Sequence, residues 1–465
     1  MDGDHGVGMP PRTVGSHVVQ TMRLSGPLAV ALLAQVAMGT TDTVLLGGLG
    51  GGALAAGGLG AMVFFTTQIV LQGVLAAVSV LVAQARGGGR DGDVPALYWS
   101  GMLLAALLAI PAFALFSVVK PLLLLAGEPP DLAQDVGRYV AVLRWAVPAA
   151  MLQMGLLRAF MPTIGGGPAI LWVAVGGAGL NGVACYGLIH GAWGLPAMGL
   201  VGAALATTVA MTVMAAVLLA LLHLHPARRR FVIWVRPRTA LLKAMLWLGV
   251  PVAGTIAVEA GLFLAIALLI GTLGPAPLAA QQVALNLVSV AFMVPLGLAQ
   301  AANIRVGNAV GAGDSLGARR AGLAAIGLGA VWEAVTALVS VLAPHTLVGW
   351  YLDPAEAEAV QIAVSLLGVA AVFQIADGVQ CVAAGALRGM SDTRGPFVIA
   401  ALGYWAVGFP AAWWLTKQTG LGAAGAWWGL AVALMLVAVL LTRRFLRRAD
   451  GTAVSLSSAA ACPPG

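Results

Sequence analysis

The sequence predicts an all-α integral membrane protein in which twelve transmembrane helices form two pseudo-symmetric six-helix lobes, with both termini in the cytoplasm. The first observation is composition: 60% of the 465 residues are hydrophobic and 9% are charged, whereas a soluble domain carries about 25% charged residues. The second is a series of long apolar segments, and the third is a repeat that relates the two halves. This composition excludes a soluble globular domain and a disordered chain.

Long apolar segments recur along the chain as far as residue 442. A helix needs roughly 20 mostly apolar residues to cross a bilayer. This criterion predicts twelve spans, at residues 25–47, 58–83, 95–119, 138–161, 168–191, 197–222, 245–271, 278–302, 318–342, 359–387, 396–416 and 421–442.

Basic residues indicate which connecting segments face the cytoplasm, because those segments carry an excess of Lys and Arg. With the N-terminus inside, Arg12 and Arg158 belong to the inner side. Of the 24 Lys and Arg residues, the outer side keeps only Lys120, Arg138, Arg144 and Lys417. The bias predicts two cytoplasmic termini, and for the whole protein we expect a location in the inner membrane. Because the basic residues are spread over short loops, we expect no nucleic-acid partner.

The chain divides near its middle at a basic, proline-containing loop. Shifting the sequence by 224 residues aligns Pro27 with Pro251 and Gly87 with Gly311. Repeats of six spans are parallel, as in many secondary transporters. We therefore predict a cytoplasmic tail, an N-lobe, a cytoplasmic linker, a C-lobe and a second cytoplasmic tail, at residues 1–24, 25–222, 223–244, 245–442 and 443–465 respectively.

Four acidic residues fall inside the predicted spans: Asp42, Glu259, Glu333 and Asp377. A charged residue at the centre of a membrane helix costs about 2.5–3.5 kcal/mol on insertion scales and is a functional candidate by default. A desolvated carboxyl group can bind a proton near neutral pH, and its oxygens can instead bind Na⁺. Either event can shift an equilibrium between two conformations. We predict that Asp42, Glu259 and Asp377 bind the coupling ion, with Na⁺ possible at Glu259 and Asp377.

Neighbouring polar residues support these acids. Gln35 lies two helical turns before Asp42 on the same face, and the 224-residue shift places it at the position of Glu259. Gln374 and Gln380 are each three residues from Asp377. Further residues that we expect to line a cavity are Asn181, Gln282 and Asn286.

Glu333 is an additional candidate in an otherwise plain apolar segment, GAVWEAVTALVS. Two interpretations stay open for it: the side chain faces a cavity, or it forms a contact within the helix bundle.

Several stretches together resemble the multidrug and toxic compound extrusion (MATE) family, in its NorM-like bacterial branch. They lie between Pro27 and about Arg444 and include LGGLGGGALAAGGLG, LRAFMPTIGGGP, GVPVAGTIAVEAGLF, GPAPLAAQQVALN, RVGNAVGAGD and DGVQCVAAGALRGMSDTRGP. The resemblance implies export of cationic or amphiphilic drugs and toxins in exchange for Na⁺ or H⁺, without a cofactor. It also implies a C-lobe cation site at Glu259 and Asp377 and an N-lobe acid at Asp42.

The chain departs from this family at one position. Many relatives carry an acid shortly after the fifth-helix Asn, whereas Asn181 is followed here by GVACYG, with Cys185 near that position. An N-lobe site would therefore use Asp42 with Asn181 and neighbouring polar groups. We expect the protein to work as a monomer in the lipid bilayer.

Two other functions are considered. A flippase for a lipid-linked precursor would need basic residues in its cavity to bind pyrophosphate, and Lys and Arg lie almost entirely at the inner ends of the spans. A membrane-embedded enzyme would need a converging nucleophile, base and orienting group. The spans contain no His-x-x-x-His, Gly-x-Ser-x-Gly or Asp-Asp pattern, so we expect a transporter.

Overall fold

The computed structural model describes residues 14–353 and 355–460. Arg12 and the outer ends of both predicted tails lie outside the described residues. Within them, twelve helices are long and apolar enough to cross a membrane: Gly15–Gly47, Gly51–Gly87, Asp91–Ser117, Pro130–Ile164, Gly167–His190, Gly199–His223, Thr239–Gly271, Pro275–Gly311, Ser315–Leu342, Ala357–Gly389, Arg394–Gln418 and Gly422–Asp450. We number them helix 1 to helix 12 in chain order.

Each of the twelve predicted spans coincides with one of these helices, and the all-α membrane fold is confirmed. Most helices are longer than the span predicted for them. The first begins at Val14 rather than at residue 25, and helix 2 begins at Gly51 rather than at residue 58. A search for apolar segments finds only the part of a helix that crosses the hydrocarbon layer of the membrane. The helical backbone hydrogen bonds continue beyond that part, into the polar residues at each end. The cytoplasmic placement of the termini remains a prediction.

Three shorter α-helices lie outside the twelve in the described part of the chain: Val119–Leu125, Pro226–Arg229 and Pro344–Val348. Two membrane helices contain a wider π-helical turn, at Met151–Leu157 in helix 4 and at Leu402–Gly408 in helix 11. Turns of this kind are frequent at functional sites. Each carries a buried polar side chain, Gln153 in the first and Tyr404 in the second.

Packing divides the chain into two compact units. The first contains Met1–Ala29, Ala83–Gly89 and Thr255–Gly465, as far as these ranges are described, and the second contains Val30–Val82 and Arg90–Gly254. Each unit therefore holds most of one half of the sequence, and each also includes short pieces of helix from the other half. The predicted boundaries of lobes, linker and tails remain predictions, because a division by packing is not a division by internal repeat.

Helix 10 is the centre of the first unit and packs against helices 8, 9 and 12. Gly385 and Gly389 allow this approach, because a side chain at either position would press into the backbone of helix 8. Phe373 packs on Trp427 of helix 12, with ring centroids 5.5 Å apart. These contacts fix helix 10 on both sides of Asp377.

The second unit is built around helices 4, 5 and 6. Helices 5 and 6 pack closely, because Gly202 lies against the backbone of Leu188, where a Cβ atom would be 2.5 Å from the carbonyl oxygen. The chain after helix 6 folds back onto helix 3. There the Trp99 indole N–H donates to the carbonyl oxygens of Val232 and Ile233, at 3.2 and 3.1 Å.

One contact in the first unit has the symmetry that the repeat predicts. Gly87 of helix 2 lies against the backbone of Asn308 in helix 8, and Gly311 of helix 8 lies against the backbone of Gln84 in helix 2. The 224-residue shift relates Gln84 to Asn308 and Gly87 to Gly311. The two contacts are therefore equivalent, and each requires a residue without a side chain.

We expect Gly87→Ala and Gly311→Ala each to destabilise the protein by about 1–3 kcal/mol, because the added methyl group overpacks a backbone contact. The measurement is thermal unfolding of the purified protein in detergent. Gly327→Ala is the matched control, since Gly327 is an exposed glycine in helix 9 with no heavy atom near its missing Cβ. An unfolding temperature equal to that of the control would contradict the prediction.

Candidate ion and substrate sites

Two acids of the first unit share one amide group. The Gln380 side-chain nitrogen donates to Glu259 Oε1 at 3.1 Å and to Asp377 Oδ1 at 3.0 Å. Two oxygens at these distances from one nitrogen are no more than 6.1 Å apart. Asp377 and Gln380 are 6% and 4% exposed. The structure therefore brings Glu259, Asp377 and Gln380 together, as the sequence predicted, in a cluster that we call the C-half acid site.

Tyr404 orients this amide and was missed in the sequence. Its hydroxyl donates to Gln380 Oε1 at 2.6 Å, and its side chain is 1% exposed. The π-helical turn at Leu402–Gly408 carries it in helix 11. Because the amide oxygen accepts from the phenol, the amide nitrogen points at the carboxylates. The feature of the sequence that could have identified Tyr404 is the presence of a tyrosine in the middle of an apolar span.

Glu333 of helix 9 lies beside the same site. It is 2% exposed, and Thr336 donates to its Oε2 atom at 2.9 Å. Its side chain packs on helix 10 at Gly378, where a Cβ atom would lie 2.6 Å from Glu333 Cγ. Glu333 Oε1 has no hydrogen-bond donor among the described residues. Glu333 thus makes a contact within the helix bundle, which is one of its two predicted interpretations. The contact is with Gly378, the residue after Asp377.

The other predicted residues of this half form no hydrogen bond with the acids among the described residues. Gln374 is buried on helix 10, and its Oε1 atom has no donor in the described part of the chain. Gln282 and Asn286 are exposed on helix 8. Asn286 accepts a hydrogen bond from the Tyr351 hydroxyl at 3.0 Å, and no hydrogen bond among the described residues joins either side chain to Glu259 or Asp377.

The second unit places Asp42 in a cluster that we call the N-half acid site. Thr207 of helix 6 donates to Asp42 Oδ2 at 2.9 Å, and Asn181 Nδ2 donates to the Thr207 hydroxyl at 3.3 Å. Asn181 and Cys185 of helix 5 also flank the carboxylate. All four side chains are buried. Asp42 and Asn181 are thus neighbours, as predicted, and Thr207 is the residue that the sequence did not single out.

Gln35 precedes Asp42 by two turns of helix 1, and its side chain contacts helix 4. Arg158 Nη2 donates to Gln35 Oε1 at 2.9 Å, and Gln35 Nε2 lies 3.6 Å from the Met154 sulfur. Arg158 is only 9% exposed. The sequence counts Arg158 among the topology signals of the inner side, whereas its side chain is buried between helices.

No group of three or more His, Cys, Asp and Glu side chains suited to a metal ion occurs among the residues that the structure describes. In each half a carboxylate is held by neutral amide and hydroxyl groups, which do not fix its charge as a salt bridge would.

Comparisons with known proteins agree with this architecture. The MatE family model matches residues 27–187 and 251–414. A probable multidrug resistance protein NorM of Burkholderia mallei is 53% identical over 448 residues, with 96% of each chain covered. The multidrug resistance protein NorM of Burkholderia vietnamiensis is 53% identical over 438 residues, covering 94% of this chain and 95% of the relative.

A solved structure has the same fold. It is an outward-facing multidrug resistance MATE family transporter of the MOP superfamily, with 20% sequence identity, a TM-score of 0.85, and coverage of 96% of this chain and 99% of its own. The family match covers more than half of the chain, and the fold extends over nearly all of it. The protein therefore belongs to the MATE family and is a multi-pass transporter of the bacterial inner membrane, not an enzyme.

Proposed function

We propose that this transporter exports cationic or amphiphilic compounds in exchange for Na⁺ or H⁺ that enters the cell, by alternating access. The observation that carries the proposal is the C-half acid site, where Glu259 and Asp377 accept from one nitrogen of Gln380. No residue of this group holds a fixed positive charge. A proton or Na⁺ is the charge that such a site lacks.

The Gln380 amide senses whether the site is occupied. With both carboxylates ionised, its N–H groups face them and its oxygen accepts from Tyr404. A bound Na⁺ or proton places positive charge or a donor where the N–H groups point, so the amide turns and presents its oxygen instead. The Tyr404 hydroxyl follows, because a hydroxyl both donates and accepts. Binding of an ion at the C-half acid site thereby changes the hydrogen bond between Gln380 of helix 10 and Tyr404 in the π-helical turn of helix 11.

The energy of this change is sufficient to drive a conformational shift. On insertion scales a charged carboxylate costs about 2.5–3.5 kcal/mol in the membrane interior, so neutralising two carboxylates releases about 5–7 kcal/mol. Moving a two-state equilibrium from 1:99 to 99:1 takes about 5.5 kcal/mol. Loading Glu259 and Asp377 is therefore enough to reverse the preference between inward- and outward-facing forms, provided that the two forms hydrate the site differently.

Asp42 extends the same chemistry to the N half. Its Oδ1 atom has no donor among the described residues, while Oδ2 accepts from Thr207. A free carboxylate oxygen in a buried site suits a proton or the amine of a substrate. We infer that Asp42 binds substrate cations or the coupling ion, and that the protein acts as a monomer, because each unit carries a complete cluster of its own.

Transport in vesicles tests the function directly. We expect ethidium efflux from proteoliposomes when a Na⁺ gradient or a pH gradient is imposed separately, with one gradient sufficient. The relatives named for multidrug resistance support the choice of a cationic dye. Absence of efflux under both gradients would overturn the antiport mechanism.

The two C-half acids give a prediction with a matched control. We expect Asp377→Asn and Glu259→Gln each to lower gradient-driven efflux at least about tenfold while the protein still accumulates in the membrane, because the remaining site cannot change its charge by the same amount. Glu358→Gln, an exposed acid at the start of helix 10, should transport like wild type. Wild-type efflux in both test variants would show that the acids are structural.

Tyr404 gives a second prediction, specific to the amide mechanism. Tyr404→Phe removes the donor that orients Gln380, so we expect the ion concentration for half-maximal efflux to change several-fold, by about 1 kcal/mol for one hydrogen bond. Tyr351→Phe is the control, since it also removes a phenol bonded to an amide oxygen, at exposed Asn286. A lower maximal rate with an unchanged ion dependence would argue for a packing role alone.

A further inference from the structure

The loop between helix 6 and helix 7 presents a basic surface. Its sequence from His223 to Ala244 is HLHPARRRFVIWVRPRTALLKA, which contains five arginines, one lysine and no Asp or Glu. Arg229, Arg230 and Arg236 are exposed. We call this segment the basic linker. On the predicted topology it lies on the cytoplasmic side of the membrane, where the lipid leaflet has a negative surface potential.

The positive charges of the basic linker are not balanced by acids. Among the residues that the structure describes, none of its Arg and Lys side chains forms an ion pair. At the end of helix 12, by contrast, Arg444 and Arg448 share the carboxylate of Asp392. A guanidinium presents its donors in a fork that matches a phosphate group. A cluster of unpaired arginines therefore attracts phosphates.

Hydrogen bonds to helix 3 hold the basic linker in place. The Trp99 indole N–H donates to the carbonyl oxygens of Val232 and Ile233. The backbone N–H of Arg238 donates to the Ser100 hydroxyl oxygen at 3.2 Å. Because Trp99 and Ser100 are neighbours in the sequence, both attachments lie on the same turn of helix 3. The arginines are thus presented from a backbone that is anchored to a membrane helix.

Large apolar side chains lie beside these arginines. Trp234 is 67% exposed, and its ring packs edge-on against Trp99, with the centroids 4.5 Å apart. Ile233 is 62% exposed. The Arg230 guanidinium lies 4.7 Å from the ring centroid of Phe231. Tryptophan is enriched at the level of the lipid headgroups, so the basic linker combines positive charge with side chains suited to the membrane interface.

We propose that the basic linker binds anionic phospholipids of the cytoplasmic leaflet. Its arginines contact the phosphate groups, and Trp234 and Ile233 lie at the level of the headgroups. The charges are complementary, since each basic residue near a surface of anionic lipids strengthens binding about fivefold. A soluble phosphate would meet the arginines alone, whereas a lipid also covers the exposed apolar side chains. This inference does not depend on ion exchange, and it is tested without an ion gradient.

Native mass spectrometry of the purified full chain in detergent tests the proposal. The protein is titrated with phosphatidylglycerol as the anionic probe and with phosphatidylcholine as the zwitterionic one, and the dissociation constant of the first bound lipid is measured for each. We expect the wild type to prefer phosphatidylglycerol at least about tenfold. The triple variant with Arg229→Gln, Arg230→Gln and Arg236→Gln should reduce this preference at least about tenfold.

Three exposed arginines outside the basic linker supply the matched control: Arg90, Arg443 and Arg447. Replacing them with glutamine lowers the net charge by the same amount and should leave the preference unchanged. An equal loss in the control would show that net charge alone attracts the lipid. An unchanged preference in the linker variant would show that the lipid binds elsewhere. Either result would overturn the proposal, as would displacement of the lipid by an equal concentration of inorganic phosphate.

A variant that leaves every charge in place tests the attachment to helix 3. Trp99→Phe removes the donor to Val232 and Ile233, so we expect phosphatidylglycerol to bind about fivefold more weakly, as for one lost hydrogen bond. Trp332→Phe is the control, because the Trp332 indole also donates to a backbone carbonyl, that of Ala291 at 3.0 Å. This comparison decides the question if the triple variant does not accumulate in the membrane. Wild-type binding in Trp99→Phe would overturn the proposal.

Discussion

The constraint on which this structure depends is that charge inside a bilayer must be held without water. Helices form all the hydrogen bonds of their own backbone. The cost of removing polar groups from water therefore falls on a few charged side chains. Asp42, Glu259, Glu333, Asp377 and Arg158 have no ion-pair partner within 4.0 Å among the described residues. They are held instead by neutral groups, at Thr207, Gln380, Thr336 and Gln35. A salt bridge would fix the charge of each site, whereas amides and hydroxyls leave it free to change.

Ion pairs in the described part of the chain include two groups near helix ends. Arg444 and Arg448 both contact Asp392, at 2.7 and 3.4 Å, beside the start of helix 11, and Arg319 pairs with Asp450 at the end of helix 12. These pairs tie helix ends together. The interior sites instead lie where helices approach most closely: Glu333 packs on helix 10 through Gly378, and helix 10 packs on helix 8 through glycines. Close helix contacts therefore surround the acids of helices 9 and 10.

Much of this could be predicted from the sequence, because the membrane makes each polar residue in a span conspicuous. Asp42 and Asn181 are neighbours as expected, and Gln380 contacts Asp377 as its spacing predicted; the contact of Gln380 with Glu259 is new. Tyr404 and Thr207 escaped notice because a single hydroxyl is common in membrane helices, and its role depends on which helix faces it. Gln282 is exposed on helix 8, and its place at a cavity stays a prediction, since a 3.6-residue period gives the angle between side chains but not the direction of the neighbouring helix.

The repeat shows at which position the charge of the two halves differs. The 224-residue shift places Gln35 and Glu259 at the same position, and each accepts a hydrogen bond from a side chain of another helix. In the N half the acceptor is a neutral amide and its donor is the cation Arg158; in the C half the acceptor is an acid and its donor is the neutral amide of Gln380. The same geometry thus carries a positive charge in one half and a negative charge in the other. Divergence at one repeated position is therefore enough to place a buried cation against helix 1 in the N half and a buried acid on helix 7 in the C half.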